Sequence, residues 1–222
     1  NMTHFVGKYH IKDRCILFSL LLTFLISGCN LPSGLGAFND SSQGVEINFF
    51  LYSPQKSGDI FIDIVDDVSG IPYHSSRYKM TRQDEGLFFQ KISFPKNAFI
   101  KYRYIKRDTV DSIESDNRGN TINYRWYYTA SSATVTDIVY GWSTAPVVVK
   151  GGKISGQVLD FSSSIAVSPV LVSAAGMSTW TDARGNYTLD NIPPGNQNLV
   201  VVSPDGAYLP FQQIAQVKAN AV

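Results

Sequence analysis

Hydrophobic and polar residues alternate along short stretches of this chain from residue 45 onward. Clear examples are VEINFFLY at 45–52, DIFIDIV at 59–65 and ATVTDIVY at 133–140. A period of two places successive side chains on opposite faces of a β-strand, and no stretch repeats convincingly with the helical period. Gly, Pro, Asn and Asp residues separate the stretches, as turn residues do. The pattern predicts an all-β protein built from short strands.

The spacing of the strands and a change in composition divide this part of the chain in two. Six or seven predicted strands fall within residues 45–143, which is about the length of one β-sandwich. After a connection at 144–151, the composition shifts towards small residues and Val, and predicted strands continue through 152–222. We therefore expect two consecutive β-sandwich domains, immunoglobulin-like or prealbumin-like, joined by a short linker.

The first 29 residues have the pattern of an export signal. Three basic residues precede an apolar run at 15–26, which is shorter than the roughly 20 residues that span a membrane. The run ends in Leu-Ile-Ser-Gly-Cys at 25–29, which resembles the lipobox of bacterial lipoproteins. The resemblance implies a signal helix at 1–28, cleavage before Cys29 and lipidation of Cys29. The residues that follow are rich in Ser, Gly, Asn and Pro, which predicts a flexible tether at 29–44. A plain signal peptide or a single anchor helix is the alternative.

These features predict a location as well as a covalent modification. A protein lipidated at Cys29 would be exported and held at the cell envelope or cell surface, with the membrane as its partner through the acyl chains. The formal net charge of +1 offers no basic field for nucleic acid, so we expect no nucleic-acid partner.

Residues of the kind that catalysis needs are scarce. Once residues 1–28 are removed, His74 is the only histidine, and Cys29 is the only cysteine. The sequence has no zinc-protease, serine-hydrolase or phosphate-loop motif and no cluster with metal-ligand spacing. We therefore expect a protein that is not an enzyme and that has no cofactor and no metal site.

The first predicted domain resembles a known carbohydrate-binding family. The segments FFQKISFPKNAFIKYRYIKRD at 88–108, ESDNR at 114–118 and ATVTD at 133–137 are similar in order and spacing to the starch-binding domain, carbohydrate-binding module family 20. The resemblance implies an α-glucan ligand, starch-like or glycogen-like, held by aromatic stacking and polar groups at the rim. Carried over by position, it assigns Tyr73, Arg103, Glu114 and Asn117 to the carbohydrate site.

Some of these positions differ from the family pattern. Arg103 replaces a Lys, and Ile113 stands where the family has one of its stacking Trp residues. The alternative interpretation of residues 114–120 is a polar turn whose Asp and Asn side chains bond their own backbone. By the same reasoning, Tyr102, Tyr104, Tyr124 and Trp126 belong to the core or to cross-strand pairs.

The second predicted domain carries a more extended resemblance. The segment TDARGNYTLDNIPPG at 181–195, preceded by Gly156 and Val158, strongly resembles the carboxypeptidase regulatory-like domain, a seven-stranded prealbumin-like sandwich. The resemblance implies a non-catalytic accessory module. Asp182 is expected to bond the backbone of its own turn, with calcium ligation as the alternative.

These observations support one leading hypothesis and two alternatives. The leading hypothesis is a non-catalytic surface lipoprotein whose first sandwich binds a polysaccharide. The alternatives are a structural or adhesive surface protein without sugar binding, and the accessory front end of a longer extracellular hydrolase.

Overall fold

The computed structural model of the chain describes residues 44–53, 58–65, 76–148 and 150–218. The regular elements in these ranges are β-strands, as the alternation predicts. In chain order they are β1 (Val45–Tyr52), β2 (Asp59–Val65), β3 (Ser76–Lys79), β4 (Thr81–Asp84), β5 (Leu87–Phe94), β6 (Phe99–Arg107), β7 (Asp111–Ser115), β8 (Arg125–Tyr128), β9 (Ala133–Ile138), β10 (Gly141–Trp142), β11 (Gly152–Gln157), β12 (Leu171–Ala174), β13 (Met177–Trp180), β14 (Asn186–Ile192), β15 (Gly195–Val202) and β16 (Phe211–Val217).

Strands β1–β10 form the first sandwich from two sheets. One sheet has the order β4-β5-β1-β9, in which β1 runs antiparallel to β5 and parallel to β9. The other has the order β10-β7-β6-β2-β3, with β8 pairing with β6 beside β7. Alternate residues point into the space between the sheets, so Ile47, Phe49 and Leu51 of β1 are fully buried opposite Tyr102 and Tyr104 of β6.

Strands β11–β16 form the second sandwich, which has its own hydrophobic core. A two-stranded sheet, β11-β14, packs against a four-stranded sheet with the order β13-β12-β15-β16. The core contains Val172, Leu189, Ile192 and Leu199, none of which is more than 3% exposed. The predicted fold class, all-β with sandwich packing, is confirmed, whereas the predicted signal helix and tether lie outside the described residues.

One predicted strand is shorter than expected. The alternation over 121–128 predicts a single strand, but β8 begins only at Arg125. The preceding residues pair elsewhere, because Thr121 bridges Ser115 and the Ile122 N–H donates to the Glu114 carbonyl at the end of β7. Tyr127 and Trp142 are both buried in the first core.

The two sandwiches contact each other through β8 and β9 of the first and β12 and β15 of the second. The side-chain amide of Asn191 donates to the Asn117 oxygen at 2.9 Å, and the backbone N–H of Tyr128 donates to Gln212 Oε1 at 3.0 Å. Gly176 fits against Ile122, where a Cβ atom would lie 2.4 Å from the Ile122 Cγ2. The two sandwiches are therefore joined by direct contacts as well as by the linker.

Candidate functional site

Glu114, a predicted carbohydrate contact, lies inside the first sandwich rather than on its surface. Its side chain is fully buried, and Oε1 accepts the backbone N–H of Tyr104 at 3.0 Å. Oε2 accepts two bonds from the Arg125 guanidinium, at 2.8 and 3.0 Å. Each carboxylate oxygen thus has a protein donor, and neither faces solvent where a sugar could lie. The resemblance predicts a carboxylate that contacts a sugar at position 114, but the carboxylate there is not exposed.

Arg125 joins two carboxylates in a buried cluster that we call the Arg125 cluster: Tyr102, Tyr104, Glu114, Arg125 and Asp137. A second arm of the guanidinium donates to Asp137 Oδ1 at 3.0 Å, and both tyrosine hydroxyls donate to Asp137 Oδ2, at 2.8 and 2.9 Å. Each of the five residues is at most 3% exposed. Such a cluster satisfies its charges internally and fixes how the two sheets meet.

Burial sets the proton affinities in the Arg125 cluster. Removal from water raises the pKa of Tyr102 and of Tyr104 well above the usual range, and the negative Asp137 adds to the effect. Burial also raises the pKa of Glu114, although the Arg125 charge opposes it. Burial alone would lower the pKa of Arg125, but Glu114 and Asp137 hold it well above its usual range. The tyrosines therefore remain neutral donors.

The Arg125 cluster has little room for a reactant. The adjoining cavity has a volume of about 10 Å³, and residues 173–176 of the second sandwich form part of its lining. That volume corresponds to one water molecule at most. The Arg125 cluster therefore links strands of the first sandwich. Its ionisable side chains do not face a space that could hold a substrate.

Arg103 lies in a separate ion-pair network on the outer face of the second sheet of the first sandwich. Asp63 on β2 is fully buried there, and it accepts two bonds from the Arg77 guanidinium, at 2.7 and 2.9 Å. The Arg103 guanidinium lies 3.7 Å from the same carboxylate, and its side chain is 13% exposed. Arg103 thus balances the charge of a buried aspartate rather than standing beside Glu114.

Asn117 occupies the junction between the sandwiches, where it is 1% exposed. It follows Asp116 in a turn with the sequence Asp-Asn-Arg-Gly-Asn, in which Asp116 Oδ1 accepts the backbone N–H groups of Arg118 and Asn120 at 2.9 and 2.8 Å. The polar-turn interpretation is therefore confirmed for Asp116, which bonds the backbone of its own turn, whereas Glu114 and Ser115 belong to β7. The Asn117 side chain binds Asn191 of the second sandwich, so it is committed to the junction.

The second sandwich contains a matching turn, Asp-Ala-Arg-Gly-Asn at 182–186. Asp182 Oδ1 accepts the backbone N–H groups of Arg184 and Asn186, both at 2.8 Å, as predicted for a turn residue. These bonds lower the pKa of the Asp182 carboxyl, with those from Asn186 the largest cause. Within the described ranges, no group of three or more His, Cys, Asp or Glu residues could hold a metal ion.

The structure does not bring the predicted carbohydrate residues together on one exposed patch. Glu114 is inside the first core, Asn117 is at the junction, and Arg103 is on an outer sheet face. Tyr73, the predicted stacking residue, and Cys29, the predicted lipidation site, lie outside the described residues. No helix in the described ranges has the length and apolar character needed to cross a bilayer.

The sequence analysis missed Arg125 and Asp137, although the pattern carried a signal for both. Arg125 interrupts the aromatic run Tyr-Arg-Trp-Tyr-Tyr at 124–128, and Asp137 occupies an inward position in the alternation of β9. A charged residue at an inward position needs a partner of opposite charge. Two such residues on different strands could therefore have been predicted to pair.

A row of aromatic side chains on the outer face was also not predicted as a unit. Trp126 contacts Phe99 and Tyr124 edge to face, with ring centroids 5.9 and 5.7 Å apart, and Tyr128 lies 5.1 Å from Phe99. The ammonium group of Lys101 lies 4.7 Å from the Trp126 centroid, within range of a cation–π contact. Trp126 thus makes cross-strand contacts, as expected, with Phe99 and Lys101 of β6, whereas its contact with Tyr124 runs along the chain.

Comparison with known proteins gives only distant similarities. No family model matches the chain, and no curated protein sequence matches it. A glycoside hydrolase family 15 glucoamylase from Hypocrea jecorina is similar over 45% of this chain and 17% of its own, with 13% identity and a TM-score of 0.33. A leucine-rich repeat protein from Bacteroides thetaiotaomicron is similar over 80% and 24%, with 15% identity and a TM-score of 0.30.

A streptococcal ancillary pilin shows a similarity of the same kind. It covers 78% of this chain and 59% of its own, with 8% identity and a TM-score of 0.27. The chain therefore spans less than two thirds of the length of each of these proteins. TM-scores this low assign neither a family nor a function to the chain.

Proposed function

We propose that this chain is an exported, lipid-anchored, non-catalytic protein whose two β-sandwiches act as one stiff structural unit at the cell surface. The observation that carries the proposal is that the side chains of Glu114 and Asn117 contact other parts of the fold. Both residues, which the family resemblance would place at a sugar, make contacts within the fold, and Asn117 bonds directly to the second sandwich. The Asn117 bond therefore supports stiffness between the sandwiches, and the buried Glu114 is committed to the core of the first sandwich rather than to a ligand.

The linker region supports stiffness for a second, steric reason. A Cβ atom on Gly151 would lie 2.4 Å from the Asn117 amide nitrogen and 2.6 Å from the Asn191 backbone. Only a residue without a side chain permits this approach, so the linker is packed into the junction rather than looping away from it. A flexible connection between domains would place no such demand on its glycine.

Electron–electron distance measurements on a spin-labelled full chain test the stiffness. Labels replace Lys91 in the first sandwich and Arg184 in the second, which are both exposed, in a background where Cys15 and Cys29 are serine. We expect one narrow distance distribution, and we expect Asn117→Ala to broaden it. The matched control is Asn120→Ala, which removes an amide bonded to its own turn and should leave the distribution narrow. A broad distribution in the unmodified junction would contradict the proposal.

The anchor is tested separately through Cys29. In a bacterial host, the full chain should incorporate a labelled fatty acid and fractionate with membranes. Cys29→Ala should remove the label, whereas Cys15→Ala should retain it, because the resemblance places Cys15 in the cleaved segment. Equal labelling of the Cys29 variant would overturn the lipid anchor.

A second candidate function, polysaccharide binding by the first sandwich, is favoured by the aromatic row. Phe99, Trp126 and Tyr128 are partly exposed on one sheet face, beside the cationic Lys101. Aromatic faces stack on sugar rings, and neighbouring polar groups bond the hydroxyls. This location differs from the rim that the family resemblance implies, because Glu114 is buried.

Retention on insoluble polysaccharides tests this second function. The full chain is mixed with starch, with chitin and β-glucan as comparisons, and the bound fraction is measured. We expect retention on starch to be lost in Trp126→Ala if the aromatic row is the site, and in Tyr73→Ala if the family position is the site. The control is Trp180→Ala, an exposed tryptophan of the second sandwich. A chain retained on none of the polysaccharides would eliminate the candidate.

A further inference from the structure

The second sandwich has an open side between β11 and β16, the edge strands of its two sheets. A groove of about 660 Å³ follows this side. Its floor is made by core residues Ile154, Tyr187 and Leu199, and Gln213 and Ala215 of β16 form part of its wall. Apolar side chains of the core therefore border a space large enough for a chain segment.

Both strands bordering the groove have an unpaired edge among the described residues. Strand β11 pairs with β14 only, and β16 pairs with β15 only. One row of backbone N–H and C=O groups on each strand thus lacks a neighbouring strand. Such edges accept an added strand, and proteins that do not use them usually cover or shorten them.

The shape of the groove follows from how its two strands meet at one end. A Cβ atom on Gly152 would lie 2.1 Å from the Lys218 carbonyl oxygen and 2.5 Å from a Val217 methyl group. The strands therefore touch where β11 begins and β16 ends, and the groove opens along the rest of their length. The floor residues are nearly buried, since Ile154 is 9%, Tyr187 6% and Leu199 1% exposed, whereas Ile214 in the lining of the groove is 61% exposed.

The charged side chains that line the groove are positive. Lys153 and Lys218 line it, and none of the described lining residues is acidic. The nearest carboxylate partner of Lys153 is Asp190, at 3.5 Å, and this pair is about half exposed. A segment carrying Glu or Asp side chains would complement both lysines, whereas a basic segment would be repelled.

We propose that this groove binds an extended acidic segment of a separate protein as an added β-strand. Alternate apolar side chains of the segment pack against Ile214 and Ala215 of β16, its acidic side chains meet Lys153 and Lys218, and its backbone pairs with a free strand edge. The proposal does not depend on the stiff-unit function, because the groove lies within the second sandwich.

Fluorescence anisotropy with labelled peptides tests the proposal on the full chain. The probe is an eight-residue peptide of alternating Val and Glu, compared with a Val and Lys peptide and with a Val and Glu peptide interrupted by Pro. We expect saturable binding of the first peptide alone, weakened by salt because exposed charges are screened. Proline removes backbone donors and should abolish strand addition. Equal binding of the Lys or Pro peptide would overturn the proposal.

Charge reversal then locates the binding. The double variant Lys153→Glu/Lys218→Glu should lose about tenfold or more in affinity for the acidic peptide and gain affinity for the Lys peptide. The control is Lys79→Glu/Lys91→Glu, which reverses two exposed lysines of the first sandwich that also have carboxylate partners. Unchanged binding in the groove variant, or equal loss in the control, would overturn the location.

Filling the groove provides an independent check. Ala215→Phe places a ring against the floor, so it should abolish peptide binding and leave the unfolding temperature unchanged or higher. Two other occupants would contradict the proposal. One is a second copy of the chain, seen as a dimer in sedimentation that excludes the acidic peptide, and the other is a soluble maltooligosaccharide that competes with it.

Discussion

Arg125 is a charged residue in the middle of an aromatic strand, and two carboxylates explain its position. Glu114 and Asp137 come from β7 and β9, which belong to opposite sheets of the first sandwich. One guanidinium therefore links the two layers at a point where apolar contacts alone would not fix their register. A buried charge with such partners is costly to leave alone, which makes the residue sensitive to substitution.

We predict that Arg125→Met destabilises the protein by about 3–5 kcal/mol, because it leaves two buried carboxylates without a countercharge. Urea unfolding of the full chain measures the loss. The control is Arg107→Met, which removes an exposed arginine paired with Asp111 and should cost far less, because water screens exposed ion pairs. Equal effects of the two substitutions would mean that the Arg125 cluster contributes no more than a surface ion pair.

Asp160 provides a pH-dependent contribution to stability in the second sandwich. Its Oδ1 accepts bonds from the hydroxyl and backbone N–H of both Ser162 and Ser163, at 2.7 to 3.0 Å. These bonds, the Ser162 hydroxyl first, lower the pKa of Asp160 to about 2. In the unfolded state an Asp has a pKa of about 3.9. Between the folded and unfolded pKa values, the unfolded state therefore binds more protons than the folded state. The contribution is therefore present above the unfolded value and lost as pH falls through about 2.

We predict that Asp160→Asn lowers the melting temperature at neutral pH and that the difference from the unsubstituted chain shrinks as pH falls below about 4. Taking the difference cancels the titration of the other carboxylates. The control is Asp84→Asn, an exposed aspartate on β4 that should give a small and nearly constant difference. A difference for Asp160 that is constant down to about pH 2 would contradict the role of its charge.

At the scale of elements, the turn Asp-x-Arg-Gly-Asn is used twice, at 116–120 and 182–186. In both turns the Asp carboxylate accepts two backbone N–H groups, and the Gly has a positive φ, 88° in the first and 75° in the second. The short polar side chain holds the chain in the turn, and glycine supplies the left-handed conformation that other residues rarely adopt.

We predict that Gly185→Ala destabilises the second sandwich by about 1–3 kcal/mol more than Gly206→Ala. Both glycines have a positive φ, 75° and 69°, so each substitution carries the cost of a left-handed alanine. Only at Gly185 would the new Cβ also meet a backbone atom, the Val158 carbonyl oxygen at 2.4 Å, while the space around Gly206 is open within 4 Å. The melting temperatures of the two variants measure this difference. Equal decreases in melting temperature would show that the structure relaxes and relieves the clash at position 185.

The alternation of residues predicted strands such as 45–52, 59–65 and 87–94 with the bounds that the structure has, because one face of each is buried. Pairing between distant segments was not encoded in any local pattern. The parallel contact of β1 with β9 depends on residues far away in the chain, and the burial of Glu114 depends on Arg125 of another strand. Family position alone placed Glu114 at a sugar, and Arg125, which pairs with it in the core, lies outside the matched segments.

At the scale of the whole molecule, the junction contacts determine whether the sandwiches behave as one body or two. Each sandwich has its own core, so each could unfold by itself if the contacts between them were weak. The direct bonds at Asn117 and at Gln212 join backbone or amide groups that are largely shielded from water. Hydrogen bonds in such positions contribute about 0.5–1.5 kcal/mol each, enough to couple two marginally stable units.

A double-mutant cycle across the junction tests this coupling. We predict that Asn117→Ala and Asn191→Ala are not additive in free energy of unfolding, with a coupling of about 0.5–1.5 kcal/mol, because each removes the same 2.9 Å bond. The control cycle uses Asn120→Ala and Asn186→Ala, whose amides bond Asp116 and Asp182 in separate turns and so should be additive. If the first cycle were also additive, the bond between Asn117 and Asn191 would carry no energy, and the stiffness would have to come from the other junction contacts, such as the Tyr128–Gln212 bond and the packing of Gly151 and Gly176.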